Sequence, residues 1–179
     1  KYDSRNNCKA VIETATNTLI CGCKNTTIPN GVTSIGEYAF YDCSSLTSVT
    51  IPNSVTSIGR QTFQKCSGLT SVVIGNGVTS IGDNAFRGCS ELTSVTIPNS
   101  VTSIGRYAFY GCSGLTSVFI GNGVTSMGQD TFYGCTGLAT VTIEDGEEPL
   151  ELEHAFFSCP LENIYLGRNI SSGAFGWVR

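Results

Sequence analysis

The sequence predicts a mainly β solenoid, and three observations carry that expectation. Near-identical stretches begin at Ile28, Ile51, Ile74, Ile97 and Ile120, 23 residues apart, with a degraded copy from Ile143. Self-similarity at such a period marks a unit too small to bury its own apolar face, which must stack on its neighbours. Each copy also closes in a hexad with apolar residues at its first, fourth and sixth places: Leu46/Val49/Ile51, Leu69/Val72/Ile74, Leu92/Val95/Ile97, Leu115/Val118/Ile120, Leu138/Val141/Ile143 and Leu161/Ile164/Leu166. Finally, some columns hardly vary from copy to copy, and these are the positions that stacking demands.

Taken in order, Lys1 to Thr27 lacks the full repeat. Ala10–Glu13 and Thr18–Cys21 flank a polar link and read as a β-hairpin, a cap over the first open rung. Cys23 and Ile28 stand five apart, as Leu46 and Ile51 do, so the cap is expected to supply a first, imperfect strand. Residues 28–166 hold six repeats, the last irregular. Within each, L-x-x-V-x-I is expected to form a strand of a parallel sheet with rungs about 4.8 Å apart. V-T-S-I reads as a second, shorter extended piece. Between them, G-x-x-A-F-x-x-C is too short for a regular helix, so one helical or 3₁₀ turn is expected. The Phe column, Phe40 through Phe156, should form a buried aromatic spine. Gly36, Gly59, Gly82, Gly105 and Gly128 imply either a positive φ or a tight backbone approach. Residues 167–179 read as a truncated repeat or terminal cap.

The repeat I-P-x-x-V-T-S-I-G-x-x-A-F-x-G-C-x-x-L-T-S-V-x-I resembles the BspA-like subclass of leucine-rich repeats, over about Ile28 to Leu166. The resemblance implies a leucine-rich-repeat solenoid in a bacterial secreted or cell-surface protein that adheres to protein partners on a host or neighbouring cell. It implies no active-site residues. The final copy departs from the pattern: Glu147, Glu148 and Pro149 replace the V-T-S-I entry, and Cys159-Pro160-Leu161 shortens the Cys to Leu spacing.

Composition narrows the function classes. The 179 residues are 40% apolar and 13% charged, with a net charge of -4, so no basic face invites nucleic acid. No apolar run is long enough to span a membrane. With no signal peptide visible and Lys1 opening a polar stretch, the chain reads as a processed or excised portion of something longer. Cys43, Cys66, Cys89, Cys112, Cys135 and Cys159 fill one repeat column among apolar neighbours, which reads as a ladder of reduced thiols rather than a metal site. Cys8, Cys21 and Cys23 lie outside it, and a Cys8–Cys23 or Cys8–Cys21 bridge would span the cap hairpin. The acids between Glu144 and Glu153 lack a regular calcium-loop pattern. A single histidine, His154, leaves no Ser/His/Asp constellation to draw. No enzyme, metal or cofactor is therefore expected.

What remains is surface. On the hexad strands, the outward positions are mostly Thr and Ser until Phe119 and Tyr165. In leucine-rich repeats this sheet lines the usual partner surface. The columns that vary most lie on and beside the turn, and include Arg106, Tyr107, Tyr110, Tyr133 and Phe157. Tyr110, Tyr133 and Phe157 share one column, which predicts an aromatic ridge of the composition found in binding hot spots. A protein partner is the leading expectation for a monomeric module. Glycan binding through the same rings, or a passive spacer role, are the alternatives.

Overall fold

A computed structural model of the chain describes residues 1–4, 9–146 and 149–170. Strands β1 (Tyr2–Asp3), β2 (Val11–Glu13) and β3 (Thr18–Cys21) form an antiparallel cap. The first five repeats then contribute two strands each, and the sixth contributes one. The V-T-S-I pieces give β4 (Ser34–Ile35), β6 (Ser57–Ile58), β8 (Ser80–Ile81), β10 (Ser103–Ile104) and β12 (Ser126–Met127). The hexads give β5 (Ser48–Ile51), β7 (Ser71–Ile74), β9 (Ser94–Ile97), β11 (Ser117–Ile120), β13 (Thr140–Ile143) and β14 (Asn163–Leu166).

The short strands and the cap share one eight-stranded sheet in the order β1-β2-β3-β4-β6-β8-β10-β12. The hexad strands pair in parallel and in register, each residue opposite its equivalent one repeat away. Their ladder is interrupted between β7 and β9. At the later junctions Gly121, Glu144 and Gly167 donate their amides to Ile97, Ile120 and Ile143 of the preceding rung. Pro98, which follows β9, has no N–H to offer Ile74, and the pairing lapses there.

The cap joins the array differently from the expectation. No strand forms at Cys23–Ile28, where Thr26 donates its amide to the Cys23 carbonyl and bends the chain into a turn. Instead β3 pairs in parallel with β4, so the cap extends the short-strand sheet. Cys21 and Cys23 are exposed thiols. Cys8 lies outside the described residues, as do Glu147, Glu148 and residues 171–179.

The expected helical turn is also corrected, since no helix forms among the described residues. Tyr38, Gln61, Asn84, Tyr107, Asp130 and His154 have φ between 53° and 59°, and the column four residues later, Asp42 through Ser158, is again left-handed at 56° to 72°. A left-handed residue ends any right-handed helical run. Alternate amides turn outward instead, so that Tyr38, Phe40 and Asp42 donate to Arg60, Thr62 and Gln64 of the next rung, and the copies through that of Asp130 repeat the pattern. The segment is therefore a third hydrogen-bonded ladder along the array.

These three ladders enclose one continuous core. Phe40, Phe63, Phe86, Phe109, Phe132 and Phe156 are buried, and successive rings stack with centroids 4.9–5.3 Å apart and planes within 17°. The Cys66, Cys89, Cys112, Cys135 and Cys159 thiols each donate to the Phe carbonyl of the preceding rung at 3.1–3.2 Å. The glycine column answers to close approach rather than to positive φ: a Cβ on Gly105 would lie 2.4 Å from the Asp83 amide nitrogen. The irregular last copy still closes the core, with Leu150, Leu152, Ala155 and Phe156 buried and β14 in register on β13.

Candidate partner-binding faces

The column after each core Phe reads Tyr41, Gln64, Arg87, Tyr110, Tyr133 and Phe157. Rung-to-rung register converts it into a stack. Tyr110 and Tyr133 are parallel with centroids 5.2 Å apart, and Tyr133 and Phe157 follow at 6.2 Å. The free face of Tyr110 is covered by the Arg87 guanidinium, 4.8 Å from the ring centroid, and Asn84 Oδ1 accepts from Arg87 at 3.2 Å.

In five of the turns the left-handed residue meets the side chain three positions later. Tyr107 thus sits edge-on to Tyr110 at 5.9 Å, and His154 edge-on to Phe157 at 5.5 Å. Tyr38 and Tyr41 repeat the arrangement in the first copy, with the Lys65 ammonium 5.7 Å above Tyr41. Gln61 and Gln64 pair amide to amide between the two aromatic groups. The structure therefore brings together Tyr107, Tyr110, Tyr133 and Phe157. It adds Arg87, which was legible as a member of their column but carries no signal of its own in sequence.

Arg106 is exposed one residue before Tyr107, and its amide donates to Asp83 Oδ1 at 2.8 Å. With Arg60 and Asp83 it borders a shallow groove of about 460 Å³ along the glycine column. Phe119 and Tyr165 belong to a different face, the hexad sheet. There they lie in register two rungs apart with Thr142 between them.

Most of the thiols have no reactive character. Burial pushes Cys66 up to about 12 and raises Cys89 further, while Cys135 is raised chiefly by its contact with Cys112. The exposed Cys23 is lowered, first by the Asn25 amide and then by the Thr26 hydroxyl. At the other end Arg168 is buried, donating to the Gly121 and Val124 carbonyls at 3.1 and 2.9 Å and so holding the last rung to an earlier turn. Among the described residues no group of three or more His, Cys, Asp or Glu could hold a metal, and no helix is long and apolar enough to cross a membrane.

An array whose constant columns all serve stacking, and whose variable columns gather on one ridge and one sheet face, defines a solenoid repeat protein serving interaction or structure. The chain belongs to the BspA type leucine-rich repeat family, whose model, six copies long, matches residues 17–138 and 56–177. That is a family of repeat proteins that is generally non-enzymatic. The structure is similar to that of the Treponema pallidum leucine-rich repeat protein TpLRR, with 26% identity, a TM-score of 0.72, and coverage of 92% of this chain and 78% of that one. It is also similar to a leucine-rich repeat protein from Bacteroides ovatus, at 26% identity and a TM-score of 0.62, covering 93% of this chain and 51% of the other. A third, from Eubacterium ventriosum, is 33% identical with a TM-score of 0.60, covering 65% of this chain and 30% of its own length. No curated protein matches the chain.

Proposed function

We propose that the chain is an extracellular recognition or adhesion module that binds protein partners through the turn-side ridge. The observation that supports this most directly is the Arg87–Tyr110–Tyr133–Phe157 stack flanked by Tyr107. Aromatic and Arg side chains carry most of the energy in protein interfaces, and here stacking holds them before any partner arrives, which lowers the ordering cost of association. Arg106 adds an exposed cation beside the ridge. Membership of a family typical of bacterial surface proteins supports a secreted or cell-surface location.

The same geometry disfavours the glycan alternative. A sugar stacks on a ring face, yet both faces of Tyr110 and Tyr133 are already covered by neighbours within the stack. Hydroxyl edges remain, and these suit polar contacts across a protein interface.

The test immobilises the chain and screens purified host-matrix and bacterial surface proteins by surface plasmon resonance. A partner whose affinity falls at least tenfold with the Tyr110→Ala/Tyr133→Ala double variant is expected. No saturable binding, or binding indifferent to that variant, overturns the reading and leaves the spacer role.

A further inference from the structure

We propose that the cleft between Phe119 and Tyr165 receives the cationic side chain of an Arg or Lys from a basic segment of a partner protein. It goes beyond the ridge reading and stands on a different face. The register places Phe119, Thr142 and Tyr165 on three successive rungs. With rungs about 4.8 Å apart, a cation seated over Thr142 lies roughly 4.8 Å from each ring, inside the ~6 Å reach of a cation–π contact. Thr142 is the short side chain that leaves the space open, and Tyr165 is 60% exposed.

Charge selects the occupant. The cavity here measures about 530 Å³, and Glu144 and Asp145 line it together with the two rings. One oxygen of Glu144 accepts from the Asn122 amide at 3.1 Å, and its charge also faces Arg168. Asp145 is exposed beside it. An aromatic pair flanked by carboxylates, on a chain of net charge -4, matches a cation and repels an anion. The remaining members of the strand column are Thr50, Val73 and Thr96, so two aromatic residues flank a Thr only here. The ridge shows the same chemistry already satisfied within the chain, where Arg87 covers Tyr110.

The probe is the peptide acetyl-Gly-Ser-Arg-Ser-Gly-amide, titrated into the whole chain by NMR and compared with the same peptide carrying neutral citrulline. The Arg peptide is expected to shift the Phe119 and Tyr165 ring resonances and to bind at least fivefold tighter than the citrulline peptide. Phe119→Thr and Tyr165→Thr install the column's ordinary residue, preserve the fold by circular dichroism, and should each weaken the Arg peptide at least fivefold. Tyr133→Ala should leave it unchanged. Equal affinity for the two peptides, absence of saturable shifts, or full binding by both cleft variants overturns the proposal. None of these outcomes bears on the Tyr110 and Tyr133 ridge.

Discussion

Cys89 shows how one residue type serves the array. Its thiol is buried, donates to the Phe63 carbonyl at 3.2 Å, and is raised above its ordinary value of 9.0 by loss of water. Cys66 behaves in the same way, reaching about 12. The folded pKa exceeds the unfolded one, so this contribution to stability is fully present below pH 9 and is lost as pH rises toward 12, where the unfolded chain has released protons the folded chain still holds. The denaturant midpoint is therefore expected to fall between about pH 9 and 12, and Cys66→Ala/Cys89→Ala should flatten that fall. A midpoint independent of pH over this range would contradict the assignment. Under native conditions at pH 8, iodoacetamide should label Cys21 and Cys23 and spare Cys66 and Cys89, as mass spectrometry can read. The column's apolar role was legible because six copies place Cys at one spacing among Phe, Leu and Ala. The carbonyl it bonds was not, because that oxygen belongs to another rung.

At the scale of the element, the turn is where sequence and structure part. Eight residues with an A-F pair look like one helical turn, and nothing in Tyr38, Gln61, Asn84, Tyr107, Asp130 and His154 announces a left-handed backbone. The sequence carries a trace of it in the later column, where Gly88, Gly111 and Gly134 occupy the second left-handed position and Asp42, Lys65 and Ser158 hide it in the other copies. What holds non-glycine residues there is the cross-rung ladder, invisible to any local rule. Gln61, at φ 55°, provides the check. Relief of the left-handed conformation, about 1 kcal/mol, opposes the unfolded-state entropy that glycine adds, about 0.4–1 kcal/mol. Both variants also give up the amide pair with the buried Gln64, about 1 kcal/mol, so Gln61→Gly is expected to cost about that much in chemical denaturation, while the β-branched Gln61→Val should cost about 1–2 kcal/mol more. Equal losses from the two would mean that the left-handed residue is not what shapes the turn. The hexad strands were legible by contrast, since their period, apolar places and parallel register all follow from repetition. The ridge was legible as a column, whereas the separation of Phe119 and Tyr165 from it required the fold.

At the scale of the whole molecule, the turns from Pro52 to Gly123 repeat every two rungs. Pro-Asn-Ser turns at Pro52 and Pro98 alternate with Gly-Asn-Gly turns at Gly75 and Gly121. A Cβ on Gly77 would lie 1.9 Å from the Asn53 carbonyl oxygen, and one on Gly123 would lie 1.8 Å from that of Asn99. Deleting residues 74–96 sets Ser100 where Gly77 stood, against Asn53, whereas deleting residues 97–119, the same length, sets Gly123 where Ser100 stood, over Asn76. The first deletion is expected to cost more, by about 1–3 kcal/mol for the overpacked turn, although both remove one rung. Melting temperatures in the reverse order would refute a two-rung unit. Repetition also fixes the chemistry of the outer surface. Thr56, Thr79, Thr102 and Thr125 each point their hydroxyl proton at the Thr carbonyl one rung back, as do Thr70, Thr93 and Thr116 on the hexad side. With those protons spent, the two hydroxyl rows show a visitor only lone pairs, so whatever settles on them must supply the hydrogens.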